Sequence, residues 1–147
     1  LSSYYPIKDL DYYKMKEAAK LLLIYNDYSA FCKSPDKNPS NICNVTNAQL
    51  FTDVNRDKIR FQISSNRFLK GMVRIIVMKL LEVGSGEISL DEFEKYLSLK
   101  EVPKKIVPAY PQGLYLSRVT YSFLDISPRI EFSTIFQNNV DNAWLAI

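Results

Sequence analysis

"SNRFLKGMVRIIVMKLLEVGSG", residues 65–86, is the stretch on which the reading of this chain turns. Between Leu69 and Val83 nearly every position is apolar, and Leu69, Met72, Val73, Ile76, Val77 and Leu80 line up as one core-facing stripe at helical spacing. Asn66 is placed to cap such a helix, and Gly84 and Gly86 to end it. Arg74 sits in the middle of this apolar run. Arginine stays ionised in proteins, so a charge in that position needs a partner. Its helical neighbours Lys70, Gly71, Val77 and Met78 include no carboxylate, so the partner must come from another part of the fold. An ion pair with an Asp or Glu of this chain is the plain explanation. Arg67 and Lys70 project beside Arg74 as a cationic stripe. On the boundaries expected here, Arg67 and Lys70 occupy the first turn, where the macrodipole disfavours positive charge, which points to a visiting phosphate or carboxylate. An ordinary solvated face is the alternative for both.

Bulk properties bound the rest. The chain has 147 residues, 47% hydrophobic and 24% charged, which suits one globular domain with its own core. The formal charge of +3 is a mild excess, so a case for an anionic partner rests on where the cations lie. The apolar run "LLLI" at 21–24 is short, and the longer apolar stretch is interrupted by Arg74 and Lys79, so no membrane span is expected. The start, "LSSYYPIKDLDYYKM", lacks both an initiating methionine and the pattern of a signal peptide, and we read the chain as a piece of a longer protein. Cys32 and Cys43 flank a polar, Pro-containing segment; free thiols of a cytoplasmic protein are favoured over a disulfide. With no histidine anywhere, a zinc site lacks ligands and Ser-His or Cys-His nucleophile arrangements are excluded.

Helix and strand signals alternate along the chain. Met15, Ala18, Ala19, Leu22 and Leu23 repeat at helical spacing after Asp11, a suitable N-cap. "ICNVTNAQLFT" at 42–52 and "KIRFQIS" at 58–64 read as two strands joined by the turn "DVNRD"; Ile59, Phe61 and Ile63 alternate with Lys58, Arg60 and Gln62. "SLDEFEKYLSLK" opens with Ser89 and Glu92 in capping-box spacing and carries Leu90, Phe93 and Leu97 on one face. After the connector "KEVPKKIVPAYP", the segment "QGLYLSRVTY" is apolar on both faces and reads as a central strand. The sum is an α+β domain, an antiparallel sheet with helices packed on one face. Residues 122–147 are left unplaced.

"NRFLKGMVRIIVMKLLEVGSGEISLDEFEKYLSLK", followed by "PAYPQGLYLSRVTY" and preceded by "MKEAAKLLLIYNDYSAFCK", resembles the C-terminal half of the bacterial tRNA pseudouridine synthase A family, over about residues 12 to 121. The resemblance implies an enzyme that isomerises uridine to pseudouridine in the anticodon arm of tRNA, as a homodimer, with neither metal nor organic cofactor. It implies a catalytic aspartate in an Arg-Thr-Asp-Ala-Gly motif of the N-terminal half. That motif does not occur in this sequence, so this chain alone is expected to be inactive. Arg74 matches the family's active-site arginine, which pairs with that aspartate. Gln112, Gly113 and Leu114 would line the uridine pocket, although Leu114 also fits a simple core position. Lys33, Arg67 and Lys70 would contact the tRNA backbone, extended by Lys100, Lys104 and Lys105. The alternatives are a non-enzymatic α+β RNA-binding module and an interaction domain without nucleic acid.

Overall fold

The Asp11 carboxylate accepts the Lys14 backbone N–H at 3.0 Å and so caps α1 (Tyr12–Leu21), supplying a partner for one of the N–H groups that a helix start leaves open. Met15, Ala18 and Ala19 turn inward. The next regular element is a hairpin of β1 (Val45–Asp53) and β2 (Ile59–Ser65), with Leu50 opposite Phe61 and Phe51 opposite Arg60. The Asp53 carboxylate closes the turn by accepting the Asp57 and Lys58 N–H groups at 2.8 and 3.0 Å. Ala48, Leu50 and Thr52 of β1 are buried, and Ile59, Phe61 and Ile63 of β2 pack on the same core, the period-two pattern of a sheet covered on one face; Val45 is buried too, across a register shift between Val45 and Asn47. The computed structural model describes residues 2–7, 9–103, 105–121, 123 and 143–147.

Helices α2 (Met72–Ser85) and α3 (Leu90–Ser98) complete the layer over that face. Ser89 Oγ accepts the Glu92 N–H at 3.1 Å, as the capping spacing required. Phe31 sits in the centre, with its ring 5.6 Å from that of Phe93, and the Tyr28 hydroxyl donates to the Leu22 carbonyl at 2.6 Å. Cys32 and Cys43 are both buried and unbridged, and burial pushes the Cys43 thiol up. The α+β architecture with an antiparallel sheet agrees with the sequence reading. Among the described residues no helix is long and apolar enough to cross a membrane.

Two elements differ from the sequence reading. First, α2 begins at Met72, not after Asn66. The Asn66 side chain is engaged by the sheet, accepting the Asn44 N–H at 2.7 Å, and Gly71 turns left-handed at φ 76° to start the helix. Arg67 and Lys70 therefore precede the helix in a loop, and the expected stripe with Arg74 does not form on one helical face. Second, residues 113–120 join no strand. The third strand is instead β3 (Trp144–Ala146), from the segment left unplaced in the sequence, which pairs with β1 through Phe51–Ala146 and Asp53–Trp144 and gives the order β2-β1-β3. The Arg60 guanidinium lies 4.0 Å from the centre of the Trp144 ring, spanning from β2 to β3 across the outer face of β1. A segment apolar on both sides needs cover on both sides, and among the described residues Leu114, Leu116, Val119 and Tyr121 do not have it: all four are exposed. Residues 122 and 124–142 lie outside the described residues.

The core of α2 also contains Lys79, only 4% exposed. Its ammonium pairs with Glu82 one turn on and donates to the Lys105 carbonyl at 3.3 Å. This pair is internally complete, so breaking one side alone is costly. Glu82→Ala strands a buried ammonium and should destabilise the chain by about 3 kcal/mol or more. Lys79→Met leaves a carboxylate that reaches water, and should cost less than about 1.5 kcal/mol. Urea unfolding of the two variants checks the order; equal costs would contradict it.

Candidate active site and nucleic-acid interface

Arg74, in the first turn of α2, is half-buried. Its Nε donates to the Ala109 carbonyl at 2.6 Å, and the Ala109 N–H donates back to the Arg74 carbonyl at 2.9 Å. This reciprocal latch pins the segment around the buried Ala109 onto the helix. It uses one guanidinium donor and, among the described residues, leaves those on the two terminal nitrogens. Among the described residues no carboxylate lies within 4.0 Å of Arg74. Lys79, one turn and a residue further along the same helix, has its acid in the chain. The plain explanation of Arg74, an ion pair inside this chain, is thus absent from the described residues.

The latch also brings Arg74 toward the second sequence-predicted group, because Ala109 lies three residues before Gln112. Gly113 turns left-handed at φ 87°, and the Leu114 N–H donates to the Pro111 carbonyl at 3.2 Å, so the chain reverses there. Gln112, Gly113 and Leu114 face outward, with Leu114 50% exposed. That exposure sets aside Leu114 as a simple core residue. The Ser3 hydroxyl donates to the Gln112 carbonyl.

A second cluster forms where loop 66–71 meets loop 32–43. The Lys33 N–H donates to the Lys70 carbonyl at 3.1 Å, and the Lys33 side chain lies over Gly71, where a Cβ would stand 3.0 Å from Lys33 Cγ. Arg67 stands close enough to Cys43 for its charge to oppose the burial that raises the thiol. Lys33, Arg67 and Lys70 are exposed, and none has an ion-pair partner among the described residues. Chain folding thus brings the three predicted backbone-contacting cations to one region, before α2 and not along it. The extension fares differently. Lys100 is held by Asp27 at 2.9 Å, Lys104 lies outside the described residues, and Lys105 is exposed. Sequence reading missed Ala109, the residue that orients Arg74. The nearest signal was the spacing of Pro108 and Pro111, which stiffens that segment on both sides of Ala109. No group of His, Cys, Asp or Glu among the described residues is arranged to hold a metal.

The tRNA pseudouridine synthase family pattern matches residues 18–122. Among individual proteins, the chain is 38% identical over 112 residues to tRNA pseudouridine synthase A of Bacteroides fragilis, covering 76% of this chain and 44% of that protein. It is 42% identical over 108 residues to the protein of that name from a Thermoanaerobacter species, covering 74% and 43%. The match to the Porphyromonas gingivalis protein of the same name is 34% over 114 residues, covering 78% and 45%. The chain thus spans about 44% of the length of the relatives it matches. Strand β3 lies beyond the matched range.

The geometry separates the two cations of α2 experimentally. Arg74→Met removes one hydrogen bond to Ala109 and strands no acid among the described residues, so it should cost this chain about 1 kcal/mol. A loss of several kcal/mol in urea unfolding would mean that Arg74 has an acidic partner within the chain.

Proposed function

Because the chain belongs to the tRNA pseudouridine synthase family, we propose that it is the C-terminal part of an enzyme that isomerises uridine to pseudouridine in the anticodon arm of tRNA. The observation that carries this reading is Arg74: half-buried, oriented by Ala109, and without a carboxylate among the described residues. Its remaining guanidinium donors suit an aspartate supplied by the N-terminal half of the same protein. An arginine against that carboxylate lowers its pKa, keeps it ionised and fixes its direction of attack on the nucleoside. Arg74 acts through the aspartate and is a positioning residue, not the nucleophile.

In the isomerisation the sugar's bond to a ring nitrogen is exchanged for a bond to a ring carbon of the same base. Atoms and electrons balance within one nucleotide. Gln112, Gly113 and Leu114 form the wall against which the uridine sits, with the exposed Leu114 side chain supplying an apolar surface. Lys33, Arg67 and Lys70 hold the phosphate backbone, which gives affinity without reading sequence. Beyond the uridine wall, the exposed Leu116, Val119 and Tyr121 are where the N-terminal half docks and provides cover. The assembled enzyme works as a homodimer in the cytoplasm. The named relatives favour this reading over a non-enzymatic RNA-binding module.

In the complete enzyme, Arg74→Met should lower uridine isomerisation by about a hundredfold or more, the scale seen when one preorganised electrostatic contact is lost. Release of tritium from tRNA labelled at the ring carbon measures it, and activity within twofold of the parent would defeat the proposal. Neutral substitution of both Arg67 and Lys70 should flatten the salt dependence of tRNA binding by about one to two counterions. An unchanged slope would return both to the solvated surface.

A further inference from the structure

Beside Arg74 lies a pocket of about 330 Å³ that the uridine reading leaves unused. Its size falls at the lower end of the range of about 300–1,000 Å³ found for small-ligand sites. Tyr4, Tyr5 and Tyr110 line it together with Met78, Val107 and Pro108. The Tyr5 and Tyr110 rings stack with centroids 5.4 Å apart and planes at 26°, and the Tyr5 hydroxyl accepts the Tyr110 N–H at 2.7 Å. One wall is thereby built and held in place. The other aromatic face is open: Tyr4 is 82% exposed and Tyr110 62%.

We infer that this pocket receives an unpaired nucleobase next to the target uridine, stacked on Tyr4 and Tyr110. The inference rests on the tRNA reading above and adds a second base site to it. Position argues for a neighbouring nucleotide. Met78 is one helical turn beyond Arg74 on the same face of α2, and Tyr110 follows directly on Ala109, which Arg74 holds. Tyr110 in turn lies two residues before Gln112, and Ser3, adjacent to Tyr4, donates to the Gln112 carbonyl. The pocket and the Gln112–Leu114 wall are therefore parts of one continuous surface. Ring chemistry argues for a planar base over an aliphatic side chain, and the lack of acids in the lining argues against a cationic ligand. No acid lines the pocket, and the exposed Lys105 lies two residues before Val107 of its wall. Aromatic faces accept any base, because every base has a π-face.

The test uses the 147-residue chain and an anticodon-arm RNA stem–loop, with matched RNAs that carry an abasic nucleotide at one or the other side of the target uridine. Fluorescence anisotropy reads affinity. Tyr4→Ala should weaken binding of the intact RNA by about five- to a hundredfold, and Tyr4→Phe should restore it. On one of the two abasic RNAs, Tyr4→Ala should have no further effect. Tyr4 is so exposed that the fold does not depend on it, and unfolding curves of both variants should overlay that of the parent. Binding that depends on Arg67 and Lys70 but not on Tyr4 would overturn the pocket while leaving the tRNA reading in place. Equal losses on intact and both abasic RNAs would overturn it as well, and so would a Tyr4→Ala defect confined to association with the separately expressed N-terminal half. Absence of any RNA binding by the parent chain would overturn the pocket as a base site of this chain, and absence of binding also after reassembly with the N-terminal half would sink both.

Discussion

The reciprocal hydrogen bonding of Arg74 and Ala109 is the constraint from which the geometry of the candidate site follows. It fixes the guanidinium on α2, ties the 107–112 segment to that helix, and so decides where Gln112–Leu114 and Tyr110 can stand. A guanidinium that donates one hydrogen bond, with no acid beside it among the described residues, is unusual in a half-buried position, because charged groups taken partly out of water are generally matched. Lys79 on the same helix shows the complete solution, an ammonium buried against Glu82 with a carbonyl as second acceptor. The contrast between the two cations underlies the proposal that Lys79 is a structural charge and Arg74 one held for use.

Much of the fold is legible in the sequence because local rules and burial agree there. Asp11 and Ser89 cap the helices that follow them, and the alternation at Ile59, Phe61 and Ile63 settles the face that β2 buries. The misplaced start of α2 has a definite cause. Asn66 is as good a partner for a sheet edge as for a helix end, and the Asn44 N–H claims it; Gly71 then permits a left-handed turn no other residue adopts as cheaply. The strand expected at 112–121 illustrates a different limit. Strand propensity measures fit to a pleated, covered surface, so an apolar segment forms a strand only where neighbours exist to pair and cover it.

The site divides in the same way. Arg74 stood out in the sequence because a charge within an apolar run is anomalous by itself. Lys33, Arg67 and Lys70 were legible as individual cations, but their meeting depends on a contact between two loops, which no spacing rule anticipates. Ala109 and the tyrosines of the neighbouring pocket carry no local signature. Their roles appear only when residues 3–5, 74–78 and 107–112 are brought together. Strand β3, outside the family match, likewise reaches its place through a long-range pairing with β1 and the Arg60–Trp144 contact.

The central claim is that Arg74 is matched by an aspartate of the N-terminal half. A double-mutant cycle tests it most directly, using isothermal titration calorimetry of the separately expressed N-terminal half with this chain. The two single changes are Arg74→Met here and Asp→Asn at the catalytic aspartate there. The account predicts that the two losses of affinity do not add, with a coupling of about 1.5 kcal/mol or more, as for close charge pairs across an interface. Additive losses, with coupling near zero, would contradict it.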